Sequence, residues 1–274
     1  MGLRRDAEYH RAFKVLPGRQ DLLTLMRIIP VIDLLGGQVV RGVGGRREEY
    51  RPIQSTLVDS SGPGAVAAAF VQQFGAQQIY VADLDMITRA RPDMESWLAI
   101  GAAGCSLLLD AGIVNAIHAD GIWHFLKNRI PRSELVIGLE TLRSFSELQT
   151  MRFNYFVPLN RAVLSLDMRA GVALARDPQL QQLQPDLIVA QAAHLGIGKF
   201  ILLDLADVGT GKGTSTLPLL AQLCGQFPDC EFIAGGGVRG PDDLRALQQA
   251  GAAGALVASA LHDGRLSPAD CRAF

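Results

Sequence analysis

RIIPVIDLLGGQVV (27–40) decides how the rest of the chain is read. A short, unbroken apolar run ends in Asp33 and passes into a glycine pair, Gly36–Gly37, as expected of a strand buried on both faces whose end opens onto a loop. Reading outward, the same design recurs in QIYVAD (78–83), CSLLLD (105–110), ELVIGLE (134–140), AVLSLD (162–167), FILLD (200–204), EFIAGG (231–236) and GALVAS (254–259). Amphipathic stretches between them predict helices near 64–74, 93–102, 115–127, 144–152, 186–194, 217–227 and 241–249, with a short terminal helix. None of the runs alternates apolar with polar, which argues for parallel strands. Eight right-handed βα units in about 250 residues close most simply into an α/β fold, a single (β/α)8 TIM barrel. An open, doubly wound sheet is the competing arrangement.

Composition bounds the rest. The 274 residues exceed one average domain without filling two, and α/β barrels use about 250 residues as one unit. Hydrophobic residues at 49%, charged residues at 19% and a mean hydropathy of +0.19 exclude a disordered polymer and a coiled coil. Lys plus Arg at 26 against Asp plus Glu at 27 gives a net charge of −1, so no global field recruits nucleic acid or an anionic membrane. Any anion must be bound locally. Cys105, Cys224, Cys230 and Cys271 form no CxxC pair, as expected of a reducing cytoplasm without a disulfide framework. Neither a signal peptide nor a membrane span is expected, because the charged N-terminus has no apolar stretch and the greasy runs are short. Residues 1–26 read as an N-terminal extension, mobile or a lid helix, and 27–274 as the barrel domain; 168–185 reads as a long loop at the active site or on the surface.

The halves of the chain echo each other. IPVIDLLGGQVV (29–40) and AVLSLDMRAGVAL (162–174) share an apolar run, an aspartate, and a glycine four positions later. VADLD (81–85) is similar to LDLAD (203–207), and LLLDAGIV (107–114) to FIAGGGVR (232–239). Three matches in one order favour duplicated half-barrels.

In a barrel the C-terminal strand ends converge on the face that holds the active site. Six predicted ends carry acids there: Asp33, Asp83 with Asp85, Asp110, Glu140, Asp167, and Asp204 with Asp207. An Asp after a strand often caps the next helix, and that reading is weakest at Asp33 and Asp167, where a glycine-containing loop intervenes. These two belong to the first and fifth runs, opposite each other in an eight-stranded barrel. One carboxyl on each side of a substrate suits proton removal at carbon and proton delivery to a heteroatom. Paired carboxylates also fit a glycosidase, so they specify acid–base chemistry and no substrate.

AGGGVRGPDDL (234–244) and VASALHDG (257–264) each lead from a strand end into a helix start, the usual barrel phosphate site. Gly236, Gly237, Ala258 and Ser259 are the candidate backbone donors. A lone GGG is more often a tight turn, but its place after the seventh run favours the phosphate reading. GTGKGTST (209–216) adds Gly211 and Lys212 and lacks Walker spacing.

IIPVIDLLGGQVVRGVGG (28–45), SLDMRAG (165–171), the loop at 209–216, GGGVRGPDDL (235–244) and VASAL (257–261) together resemble the histidine-biosynthesis barrel family. Its members are ProFAR isomerase and the cyclase subunit of imidazole glycerol phosphate synthase. VIDL with SLDMR is more similar to the isomerase branch. GLETL (138–142), LDLADVGTGKG (203–213) and LVASALHDG (256–264) are similar to a ProFAR-isomerase-related group of unsettled activity, found partly among genes for C1-carrier cofactors. The resemblance implies an Amadori rearrangement of a small phosphorylated substrate, with Asp33 as base and Asp167 as acid and without metal or organic cofactor.

The resemblance also implies a departure. The isomerase turn after the third strand is Gly-Gly-Gly-Ile-Arg and binds a second phosphate, whereas here Asp110–Val114 reads DAGIV and Glu140 follows the fourth run. Each carboxylate beside a phosphate is repulsive by ~1 to 4 kcal/mol at effective dielectrics of about 80 to 20. Asp110, Glu140, Arg169 and Asp204 are therefore expected to bind the rest of the substrate, favouring an amine, an imine or hydroxyls over a second phosphate. A structural alternative has Asp110 capping the helix near Asn115 and Glu140 paired with an arginine such as Arg169.

Overall fold

The computed structural model describes residues 25–155, 157–169, 171–208 and 213–274. Its strands are β1 (Arg27–Leu35), β2 (Gln38–Arg41), β3 (Arg51–Pro52), β4 (Gln78–Asp83), β5 (Ser106–Asp110), β6 (Glu134–Gly138), β7 (Ala162–Arg169), β8 (Val172–Ala173), β9 (Lys199–Asp204), β10 (Glu231–Gly235) and β11 (Gly254–Val257). Parallel pairing runs β1-β4-β5-β6-β7-β9-β10-β11, and β11 returns to β1 with Ile29 opposite Leu256. That last ladder closes the sheet into an eight-stranded (β/α)8 barrel and rules out the open doubly wound arrangement.

Helices Pro63–Phe74, Met94–Gly101, Ala116–Arg129, Ser146–Phe153, Pro185–His194, Leu217–Gln226 and Pro241–Gln249 cover the outside near the expected positions. Proline in the first turn of four of them (Pro63, Pro185, Pro218 and Pro241) sets the helical φ at no cost in hydrogen bonding. An additional helix, Leu84–Arg89, starts directly on β4 because the Asp83 carboxylate accepts from Met86 N at 2.9 Å, from Asp93 N at 2.8 Å and from Trp97 Nε1 at 3.0 Å. The described part of the 168–185 connection carries short pieces: β8 folds back on β7, and helix Pro178–Gln181 is capped by Asp177. β1 is followed by the same antiparallel excursion, into β2, as the duplicated halves lead one to expect. Residues 1–24 of the expected N-terminal extension lie outside the described residues; Met26 already packs in the core at 2% exposure.

Two apolar layers explain why the runs do not alternate. One lies between sheet and helices, with Phe70, Trp97, Leu109, Leu164 and Phe200 among its members. The other fills the barrel, and its members include a ring with one residue from each of the eight barrel strands: Ile29, Tyr80, Leu108, Val136, Val163, Ile201, Ile233 and Leu256. Because side chains along a strand alternate between faces, this ring also fixes which later residues point into the barrel mouth.

Candidate active site

Counting in twos from the inner ring leads from Ile29 through Val31 to Asp33, from Leu108 to Asp110, from Val136 through Gly138 to Glu140, and from Val163 through Ser165 to Asp167. These four acids line one cavity of roughly 240 Å³ at the C-terminal ends of the strands. Asp33 and Asp167 stand on β1 and β7, four strands apart in either direction round the barrel.

The same count turns Asp204 outward, since Ile201 and Leu203 face in. Asp204 is 1% exposed, does not line the cavity, and accepts from Gly171 N at 2.7 Å and Ala206 N at 2.9 Å. It braces the loops after β7 and β9, so the expected contact with substrate is replaced by a structural one. Asp83, Asp85 and Asp207 are braces too: Asp85 accepts from Gly36 N at 2.5 Å and Asp207 from Ser215 N at 2.8 Å.

Burial raises all three inner aspartates above the ordinary 3.8. Asp33 is pushed up to about 7, first by loss of solvation; Arg47 opposes the rise and Asp110 adds to it. Asp167 also reaches about 7, by burial and then by repulsion from Glu140 and Asp110, against the Ser165 hydroxyl, which donates to it at 2.8 Å, and Arg47. Asp110 reaches about 6: burial raises it, the Gly112 N–H at 3.0 Å lowers it, Glu140 raises it, and the Tyr80 hydroxyl at 3.0 Å lowers it. Such perturbed carboxyls in one cleft are the usual mark of acid–base chemistry.

Asp110 does not cap the helix that follows; Asn115 does, accepting from His118 N at 2.9 Å. Glu140 does pair with an arginine, but with Arg47 at 3.3 Å and not Arg169. Arg169 lines the cavity beside Gly45, where a β-carbon would come within 3.1 Å of its Nη2. Arg47 sits on a short helical turn, Arg47–Glu49, in the excursion after β2, and carries that excursion over the mouth. Gly42 permits the closure: a β-carbon there would stand 2.9 Å from Asp33 Oδ2 and 3.5 Å from the Tyr50 hydroxyl.

Tyr50, Tyr80, Arg47, Arg41, His262 and Arg265 also line the cavity, and strand-end spacing does not single them out. Burial, followed by the negative charge of Asp33, pushes Tyr50 up to about 12. Tyr80 belongs to the inner ring, and burial together with the charges of Asp110, Asp167 and Asp33 drives its hydroxyl well above the ordinary tyrosine value. It remains a donor. Tyr80→Phe is expected to raise the titration of Asp110 and to destabilise the fold by about 1–2 kcal/mol, because a buried acceptor loses its partner. Carboxyl NMR titration and thermal unfolding check this; an unmoved Asp110 resonance would refute the coupling.

Gly236, Gly237, Ala258 and Ser259 line the opposite part of the cavity wall, after β10 and β11. Gly236 and Gly237 have φ +86° and +75°, so their backbone takes the left-handed form. Helix Pro241–Gln249 starts further on, and its first turn already holds Asp243 against Arg239 N at 2.7 Å. Any anion here therefore meets the glycine loop rather than that helix start. Gly211 lies outside the described residues.

A profile described as histidine biosynthesis protein matches residues 27–267. An uncharacterized protein of Methanocaldococcus jannaschii is 29% identical over 243 residues, 88% of this chain and 95% of that one. The 1-(5-phosphoribosyl)-5-((5-phosphoribosylamino)methylideneamino) imidazole-4-carboxamide isomerase (ProFAR isomerase) of Geobacillus kaustophilus is 30% identical over 249 residues, 89% of this chain and 95% of its own. The enzyme of the same name from Edwardsiella ictaluri is 28% identical over 255 residues, with 88% and 95% covered. The profile spans nearly the whole barrel, and the chain belongs to the histidine biosynthesis protein family.

Proposed function

We propose that the protein is an Amadori-type aldose–ketose isomerase acting on a phosphorylated amino-sugar, with Asp33 as general base and Asp167 as general acid. The observation that carries this reading is the pair of carboxyls on opposite strands, both raised to about 7, in one cavity. Near neutral pH one proton is available to such a pair, and the surroundings bias where it rests. Arg47 and Asp110 act on both groups, but the leading charge at Asp33 is Arg47, which favours the ionised form, and the leading charge at Asp167 is Glu140, which favours the protonated form.

The steps follow from that bias. Asp167 delivers its proton to the ring oxygen of the aminoaldose as the C1–O bond breaks, leaving a protonated imine. Asp33 removes the proton from C2, and the C2–H electron pair forms the enolamine. Tautomerisation through the C2 hydroxyl yields the aminoketose, with no net gain or loss of atoms. Backbone donors of Gly236, Gly237, Ala258 and Ser259 hold one phosphate while this happens.

A second reading, in which the substrate is a monophosphorylated amine or polyol of a C1-carrier cofactor route, draws on Asp110. This buried carboxyl, raised only to about 6, is largely ionised at neutral pH at the end where a second phosphate would lie. A singly phosphorylated amino compound is accordingly expected to bind better than ProFAR. Calorimetric titration of both ligands, with complementation of a histidine auxotroph lacking ProFAR isomerase, separates the readings. Tight binding and turnover of ProFAR would return the chain to histidine biosynthesis. Absence of C2 proton exchange in heavy water, with ProFAR and with singly phosphorylated aminoaldoses alike, would remove the isomerase reading altogether.

A further inference from the structure

The turn Ser259–His262 follows β11 directly, and the Asp263 N–H donates to the Ser259 carbonyl at 2.8 Å. Residues one helical turn apart lie about 5–6 Å from each other, so groups gathered round Asp263 border the glycine-lined end of the cavity. Two guanidiniums gather there. Arg41 Nη2, from β2, donates to Asp263 Oδ2 at 2.5 Å, and Arg265 Nη2 donates to the same oxygen at 3.0 Å. Among the described residues neither arginine makes another ion pair, so one carboxylate serves two cations. Both arginines line the cavity.

Beside them His262 is 5% exposed and also lines the cavity. Its Nδ1 meets the Ser55 hydroxyl at 2.9 Å and its ring packs on Phe70 at 5.2 Å between centroids. Burial pushes the ring down to about 4, with Arg41 acting in the same direction and Asp263 opposing it, so it is neutral at pH 7. In the tautomer in which Ser55 donates to Nδ1, the ring proton rests on Nε2 and makes it a neutral donor.

We propose that Arg41, Arg265 and His262 form a clamp for the outer oxygens of a phosphate monoester dianion whose inner oxygens face Gly236, Gly237, Ala258 and Ser259. The proposal rests on the reading of that end as the phosphate site, and it assigns a charge preference that backbone donors alone would not provide. Two guanidiniums crowded on one carboxylate oxygen repel each other, and a dianion between them relieves that repulsion through charge-assisted hydrogen bonds. A phosphodiester, with one charge fewer, gains less.

Calorimetric titration of the full chain with methyl phosphate and with dimethyl phosphate tests the clamp. The wild-type protein is expected to prefer the monoester by roughly tenfold or more, and Arg41→Gln with Arg265→Gln to weaken methyl phosphate by at least about tenfold and erase the preference. Asp263→Asn is expected to tighten methyl phosphate, since it removes the competing anion; loss of folding cannot mimic that sign. Lys127→Gln, on the outer face of helix Ala116–Arg129, should change neither. Unaltered monoester preference in the double arginine variant, or weaker binding in Asp263→Asn, overturns the clamp. If Gly237→Asp still abolishes binding in that case, the phosphate site itself stands. Failure of the wild-type protein to bind methyl phosphate overturns both.

Discussion

Asp33→Asn and Asp167→Asn are each expected to lower turnover by about 10²- to 10⁴-fold, the usual worth of one positioned acid or base. The amide keeps the shape of the carboxyl and removes only its ability to exchange a proton, so substrate affinity should change far less than kcat. In the unmodified protein the base must be ionised and the acid protonated, and the two groups titrate as a pair near 7. Activity against pH is therefore expected to be a bell centred near neutrality, its acid limb set by Asp33 and its alkaline limb by Asp167. Turnover within about tenfold of wild type in both variants, a change of only ~1.4 kcal/mol in the barrier, would falsify the assignment.

The same variants carry a stability signature of opposite sign. A carboxyl whose folded pKa is raised from 3.8 to about 7 is favoured by the fold in its protonated form. Its contribution is whole below the unfolded pKa and is lost as pH rises through the folded one. At about pH 8 the ionised, 6%-exposed Asp167 is thus a cost to the fold, and Asp167→Asn should raise stability there by a few kcal/mol while changing little at about pH 4. A less active and more stable protein is the pattern of a group kept for chemistry at the expense of stability.

The barrel was legible because unbroken apolar runs report burial on both faces, and eight of them with helices between leave few topologies. Position within the site was less so. Asp33 and Asp204 have similar signatures, each a carboxylate closing an apolar run, yet one lines the cavity and the other holds Gly171 and Ala206. The difference is parity: Ile29 and Ile201 are in the inner ring, four residues before Asp33 and three before Asp204. Sequence alone does not say which residue of an all-apolar run faces inward, and without that phase every strand-end acid looks equivalent. Arg47 was hidden for another reason. Its partner Glu140 lies 93 positions away, and the excursion after β2 that carries it over the mouth has no periodic signal. Tyr80 read as one more strand residue, although its hydroxyl lies among three carboxyls.

Gly237→Asp is expected to eliminate measurable phosphate binding, a loss of more than about 100-fold, through two effects that a variant series separates. The first is steric. At φ +75° a side chain is strained, and a β-carbon would stand 2.1 Å from the Gly213 carbonyl oxygen and 2.7 Å from its carbon. The backbone at Gly213 must move for any residue larger than glycine to fit, and Gly237 then shifts with respect to the Ala258–Ser259 donors. The second is electrostatic, since the new carboxylate would occupy the volume meant for an anion. Gly237→Ala carries only the first effect and should fall between wild type and Gly237→Asp. Gly75→Ala supplies the control: φ is +67° but nothing lies within 4 Å of the added carbon. That variant should lose about 1–2 kcal/mol of stability to the left-handed backbone and bind phosphate as the wild type does. Titration with inorganic phosphate ranks the three. Wild-type affinity in Gly237→Asp would show that phosphate is not held at this loop, since neither a displaced backbone nor an added charge could go unnoticed by an anion seated there.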